Sequence, residues 1–235
     1  MVGKSLMFSF VGKKRPNPIG GHCYDCEYCY IHGKKGMKIR FKHIRDKYSG
    51  DFKLYPKILE KLRNIRSEKP IFVCDCIDCM HEDNSKENIL DLFWHIKNSR
   101  YNITVILLTK NPSRFNELIE YIPDNVILGV TIESNIDYPD ISKAPLQSER
   151  IKQLLILREN LDKRKMKNKI FISIEPIMNF DLIPFLRAIF NIGATFGVAI
   201  GYDNHHNKLC EPSLRKTMAL RNNLKIRGIN VYDKT

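Results

Sequence analysis

Short apolar, β-branched runs that alternate with amphipathic ones constrain this chain more than any other feature. Candidate strands are Lys4–Val11, Pro70–Cys74, Ile103–Leu108, Val126–Ile132, Lys169–Ile174, Thr195–Ile200 and Ile229–Tyr232. Helical patterns fill the intervals at Asp51–Arg66, Lys86–Ser99, Pro112–Tyr121, Gln147–Asn160, Leu182–Asn191 and Glu211–Arg227, with Pro112 and Pro212 near the first turns of two of them. Runs such as ITVILL and KIFISI are apolar throughout, so both faces of those strands must be covered, as in a parallel sheet wrapped by helices. Right-handed crossovers then leave a doubly wound sheet or a β/α barrel. The expectation is an α/β chain, a partial (β/α)6 TIM-type barrel with parallel strands. At 235 residues a single domain over 1–235 suffices; residues 17–32 form its cysteine loop and 211–235 a basic C-terminal helix and strand.

In both architectures ligands gather at the C-terminal ends of the strands. The first strand is followed by the stretch GHCYDCEYCY, the second by Cys74-Asp75-Cys76-Ile77-Asp78-Cys79-Met80-His81-Glu82, and the third by Thr109-Lys110-Asn111. The fourth runs into Glu133-Ser134-Asn135, the fifth into Glu175-Pro176 and the sixth into Tyr202-Asp203-Asn204-His205-His206. Polar, titratable and thiol groups therefore recur at one end of the sheet, which predicts a site there. His205 and His206 could serve as an acid/base pair, as metal ligands or as solvated loop residues, and the last reading is favoured. The helix Gln147–Asn160 is read as packing on the barrel, with Arg150, Lys152 and Arg158 opposite Leu154, Leu155 and Leu157.

Six of the seven cysteines fall into two groups of three, Cys23, Cys26, Cys29 and Cys74, Cys76, Cys79, with Cys210 apart. Disulfides between such close neighbours would be strained, so the groups point to metal or redox chemistry in a reducing compartment. The first trio could hold zinc with a fourth ligand, His22 or a distant residue, or three irons of a 4Fe-4S cube whose fourth iron has no protein ligand. At a barrel mouth rather than in a small finger, the cube is favoured. Tyr24, Tyr28 and Tyr30 would shield it. The second trio would bind a second cluster or zinc, with Cys74 and Cys76 on one strand face and His81 or Cys210 as a further ligand; its alternative is buried, small apolar side chains.

From the first strand through Asn17-Pro18, Gly20-Gly21 and the cysteines, the chain resembles the radical S-adenosylmethionine (radical SAM) superfamily. Downstream it resembles a group of phage and prophage radical-SAM-like proteins distantly akin to spore photoproduct lyase. That likeness rests on Phe72-Val73 with Asp78 and His81-Glu82, on Leu107-Leu108-Thr109-Lys110-Asn111-Pro112, on Leu128-Gly129-Val130-Thr131-Ile132-Glu133 and on Ile172-Ser173-Ile174-Glu175-Pro176. The resemblance implies a 4Fe-4S cluster on Cys23, Cys26 and Cys29, with S-adenosylmethionine on the open iron and reductively cleaved to a 5′-deoxyadenosyl radical. It places Tyr28 beside the adenine, Glu133 on the ribose hydroxyls and Lys110 on the methionine carboxylate, with Glu175 either a further contact of S-adenosylmethionine or a substrate ligand; Tyr30, like Tyr24 and Tyr28, would stack on a flat ligand. Two departures stand out. Only Tyr24 and Asp25 separate the first two cysteines where the superfamily has three residues, and Cys74-Asp75-Cys76 replaces its glycine-rich segment, leaving Asp75 or Asp78 to receive the methionine amino group.

Charge adds a partner class. Of a net +13, residues 1–50 contribute +8 and residues 213–235 contribute +5. Concentrated basic surface favours nucleic acid or an acidic protein, so a nucleotide or nucleic-acid substrate and an acidic electron donor, flavodoxin or ferredoxin, are both expected. The competing reading is a non-catalytic zinc- or cluster-braced nucleic-acid-binding protein. No apolar run reaches 18 residues, so no membrane span is expected. The N-terminal order, apolar then basic, is the reverse of a secretory leader and predicts a cytoplasmic protein.

Overall fold

The computed structural model describes residues 10–31 and 37–233. A two-residue strand β1 (Ile19–Gly20) opens it, followed by α1 (Met37–Arg40), α2 (Lys42–Lys47), β2 (Lys53–Leu54) and α3 (Pro56–Arg63). Then strands and helices alternate: β3 (Ile71–Val73), α4 (Lys86–Lys97), β4 (Val105–Thr109), α5 (Ser113–Glu117), β5 (Val126–Thr131), α6 (Gln147–Lys163), β6 (Ile170–Ile174), α7 (Leu182–Ile192), β7 (Gly197–Ile200), α8 (Leu214–Ile226) and β8 (Val231–Asp233). The sequence expectation of a strand over Lys4–Val11 falls, for residues 4–9, outside the described residues; Phe10 and Val11 are not in a strand.

Strands β3 to β8 form one parallel sheet in strict chain order, curled into a half-barrel. A doubly wound sheet needs a reversal of strand order; without one, every right-handed crossover falls on the same side, and the partial barrel follows. The helices bury the outer face in one apolar core that includes Val73, Leu107, Leu128, Ile172, Phe185 and Leu220. Residues of the opposite parity, Phe72, Ile106, Ile127, Phe171 and Ala199, line the inner face, where Phe10 and Val11 pack against them. Phe10 lies 5.7 Å from the Phe171 ring and 4.0 Å from Tyr232.

Local chemistry sets the element ends. Ser85 and Ser213 cap α4 and α8 by accepting from the Asn88 and Lys216 amides, and Pro56 begins α3. Gly193, at φ 67°, ends α7 in the left-handed conformation that glycine adopts without steric cost. Pro112 and Pro212 sit just before their helices rather than inside the first turns. The helix expected over Asp51–Arg66 is shorter because Lys53–Leu54 pairs antiparallel with Ile19–Gly20. Among the described residues no helix is long and apolar enough to cross a membrane.

If Phe10 closes the inner face, a double-mutant cycle of Phe10→Ala and Phe171→Ala in urea unfolding should return a coupling of about 0.5–1.5 kcal/mol. Strict additivity would place the N-terminal segment elsewhere.

Candidate functional site

The inner-face parity of β4, β5 and β6 continues past their ends to Lys110, Glu133 and Glu175. The row of the inner face next to them is small, with Thr131, Ser173 and Ala199 in register across β5, β6 and β7. The cysteine loop is held at this end of the sheet by the segment between β5 and α6. Glu27 N donates to Ile141 O at 2.9 Å, Lys143 N to Tyr24 O at 2.8 Å, and Lys143 Nζ to Asp25 at 2.7 Å. Asp25 itself takes φ 47°, which tightens the turn between the first two cysteines.

Glu133 organises the interior. Its side chain is 1% exposed, and Oε2 meets Arg150 Nη1 at 2.7 Å, Arg150 being equally buried. Gln147 Nε2 donates to the same oxygen at 3.4 Å, and the Tyr28 hydroxyl donates to Oε1. Burial alone would raise the carboxyl's pKa; the Arg150 and Lys110 charges and the Tyr28 hydroxyl overcome it and hold Glu133 below the ordinary value. Lys110 Nζ stands 5.4 Å from the centre of the Tyr28 ring. Burial opposes its charge, but Cys26, Glu133 and Asp78 hold its pKa above the usual lysine value. Arg150 therefore does not sit on a polar helix face as the pattern of α6 suggested; it reaches over the strand end, donating also to Thr131 O and Pro145 O.

None of the three thiols of the loop is in a disulfide. Cys26 is buried with Tyr24 and Ala144, and Tyr28 and Cys29 pack against that group. Cys26 Sγ lies 3.0 Å from Ser142 Oγ. Cys23 shares a hydrogen bond with Cys29, and that contact, then burial, pushes its pKa far up, with Lys110 opposing. Thiols that suppress one another's ionisation are suited to a ligand of high positive charge, which reverses the effect on binding. Among the described residues, the group of His, Cys, Asp or Glu ligand atoms that come within 4.8 Å of one another is His22, His81 and Asp83, not the trio. Three thiolates are a donor set that either a zinc ion with a fourth ligand or a 4Fe-4S cluster can use.

The second cysteine group behaves differently. Strand β3 ends at Val73, and Cys74 takes φ 60°, so Cys74 and Cys76 do not share a strand face. Cys74 and Cys79 are buried in the main core and hydrogen-bonded to each other, which raises the Cys79 pKa well above normal. Cys76 instead lies near Tyr30 Oη, at 3.6 Å, and its thiol is pushed up to about 12, chiefly by burial and then by Asp75. Tyr30 also donates to Asp75 O at 2.7 Å, so it turns to this group and away from Glu133. Asp75 is engaged by Asn17 Nδ2 at 2.7 Å and Arg15 at 3.7 Å. Asp78 is buried and accepts from the Lys110 and Met80 amides at 2.7 and 3.0 Å.

Glu175 Oε1 accepts from Ser173 Oγ at 3.0 Å, on the small-residue row. His205 and His206 are exposed in a loop pinned by Asp203. Cys210 is exposed. Two open grooves, about 660 Å³ beside Lys14, Arg15 and Lys61 and about 800 Å³ beside Trp94 and Tyr121, carry no cysteine and none of these strand-end residues. The site residues that sequence reasoning missed are Arg150, Gln147 and Ser142. Arg150 did leave a signal: an arginine in the first turn of a helix opposes the helix dipole unless a carboxylate answers it.

Replacing Arg150 by Met should cost about 3–5 kcal/mol in urea unfolding, because it strands a buried carboxylate. Adding Glu133→Gln should recover much of that loss. The carboxyl's pKa is depressed in the folded state, so wild type should hold the pair's contribution above the ordinary glutamate pKa and lose it as pH falls below.

No curated protein matches the chain. A family model described as "Protein of unknown function (DUF5131)" matches residues 17–182, a span that takes in the cysteine loop, Lys110, Glu133, Arg150 and Glu175. The chain belongs to that family.

Proposed function

We propose that the chain is a radical SAM iron–sulfur enzyme acting on a nucleotide or nucleic acid. The observation that carries this reading is the convergence of the Cys23–Cys29 loop with Tyr28, Lys110 and Glu133 at the C-terminal end of a parallel half-barrel. Cys23, Cys26 and Cys29 would hold a 4Fe-4S cluster, and three protein thiolates leave one iron for a small chelating molecule. With S-adenosylmethionine bound and one electron from an acidic flavodoxin or ferredoxin, that group supplies reductive cleavage of the S–C5′ bond and a 5′-deoxyadenosyl radical that takes hydrogen from the substrate.

In this reading the protein's own side chains bind and orient. Lys110, kept protonated among acidic neighbours, pairs with the methionine carboxylate. Glu133 Oε1 exchanges the Tyr28 hydroxyl for a ribose hydroxyl while Arg150 keeps Oε2 and holds the carboxylate ionised. Freed from that bond, the Tyr28 ring is available to the adenine. Glu175, on the row of Thr131, Ser173 and Ala199, faces the space left for substrate. The substrate class rests on the basic ends of the sequence, +8 over residues 1–50 and +5 over residues 213–235. The same charge suits an acidic redox partner at the cysteine loop, in a cytoplasmic, phage-related setting.

Anaerobically reconstituted protein should carry about four irons per chain for one cube and release 5′-deoxyadenosine from S-adenosylmethionine with dithionite. Cys26→Ala should abolish that release. No release from a protein holding its full iron would favour the non-catalytic, nucleic-acid-binding reading. Binding to RNA or DNA should weaken steeply with salt and exceed binding to heparin if the polyanion is the substrate.

A further inference from the structure

We propose that His22, His81 and Asp83 form a metal site separate from the cysteine trio, for a divalent first-row transition ion such as Zn²⁺. Their three ligand atoms come from two distant stretches of chain and lie within 4.8 Å of one another. His22 Nε2 is 2.8 Å from Asp83 Oδ2, and His81 Nδ1 is 3.8 Å from the same oxygen.

Hydrogen-bond polarity points to a cation. His22 Nδ1 lies 3.1 Å from Gly50 O, and a carbonyl only accepts, so Nδ1 carries the hydrogen. The neutral ring then aims the Nε2 lone pair at a carboxylate oxygen, acceptor against acceptor. His81 Nδ1 accepts from the Asp83 amide at 3.2 Å, so its one lone pair is directed at the Asp83 segment and would exchange that amide for a metal, and Glu82 Oε2 stands 3.8 Å away. A proton on His22 answers its contact with Asp83; a divalent ion would draw on both imidazole lone pairs and the Asp83 carboxylate together. A metal-bound histidine commonly has its other ring nitrogen fixed by a backbone carbonyl, as Gly50 fixes His22 here.

The rings are held in place by their surroundings. His81 stacks on Tyr24 at 4.2 Å, and the Tyr24 hydroxyl donates to Glu82 at 2.6 Å. Phe52 lies 5.0 Å from the His22 ring and 5.3 Å from His81. It can do so because position 21 is glycine, where a Cβ would meet the Phe52 ring at 2.8 Å. His81 is 6% exposed, whereas His22 and Asp83 are 39% and 60% exposed. The two exposed members can draw in to bonds of about 2.0–2.1 Å and leave coordination positions open to solvent, the arrangement of a reactive ion rather than a closed structural one. Two imidazoles and a carboxylate suit zinc or ferrous iron.

The test is zinc binding by the full chain, read by equilibrium dialysis and zinc X-ray absorption. With Cys23, Cys26 and Cys29 all changed to Ala, the chain should still bind about one zinc, with nitrogen and oxygen ligands at about 2.0–2.1 Å and no sulfur at about 2.3 Å. His22→Gln and Asp83→Asn, made in the natural cysteine background as well, should each weaken this binding tenfold or more while leaving circular dichroism unchanged. Sulfur scattering at the tight site, equal affinity in both variants, or no zinc on a folded triple variant would overturn the proposal. If the triple variant does not fold, the two single variants decide by the same readouts. Because the assay needs neither a cluster nor S-adenosylmethionine, its failure and that of the proposed activity are separable.

Discussion

One buried ion pair determines where the reactive parts of this molecule can lie. Glu133 and Arg150 meet at 2.7 Å with 1% of either side chain exposed, and a carboxylate that deep in the protein is tolerable only when paired and hydrogen-bonded. Meeting that requirement fixes three segments at once. The end of β5 supplies the acid, the first turn of α6 supplies the arginine and Gln147, and the cysteine loop supplies the Tyr28 hydroxyl. The loop reaches the barrel mouth through the same tyrosine that separates Cys26 from Cys29 in pairing with the acid. Lys110 then adds a second positive charge, 5.4 Å from the centre of the Tyr28 ring.

The two cysteine groups show how little residue type decides without context. Cys23, Cys26 and Cys29 lie on a loop at the C-terminal end of the sheet, among titratable neighbours and packed with Tyr24 and Tyr28. Cys74 and Cys79 sit in the apolar core as a bonded thiol pair, and Cys76 looks toward Tyr30 and Asp75. The turn at Cys74 is what divides them. With φ 60°, that residue adopts a conformation glycine reaches at no cost, directly after β3. The backbone bends there without the glycine-rich segment that the radical SAM resemblance leads one to expect.

Much of the architecture was legible because it rests on periodicity. Runs apolar on both faces required a covered parallel sheet, and the polar residues after each run marked its C-terminal end. Boundaries shifted where side chains, not periodicity, set them: Ile229–Tyr232 became Val231–Asp233, and α3 lost its start to a two-residue strand pair too short to carry any pattern. Lys110, Glu133 and Tyr28 were legible as strand-end and loop residues. Tyr30 was read as an aromatic of the cysteine loop and Asp75 as a substitute for a glycine-rich segment; that the two meet, and that Asn17 holds Asp75, only the fold shows. Arg150 was hidden by its neighbours Lys152 and Arg158, which share its charge and not its burial. His22, His81 and Asp83 were beyond reach, since no spacing links position 22 to positions 81 and 83 before the fold brings them together.

The central claim is an iron with an open coordination position beside Glu133 and Lys110. Electron paramagnetic resonance of the dithionite-reduced, anaerobically reconstituted protein tests it most directly, by recording the spectrum before and after S-adenosylmethionine is added. The account predicts a reduced-cluster signal whose shape changes on addition and which is absent when Cys23, Cys26 and Cys29 are replaced. A signal indifferent to S-adenosylmethionine, or zinc in place of iron at those three cysteines, would contradict it.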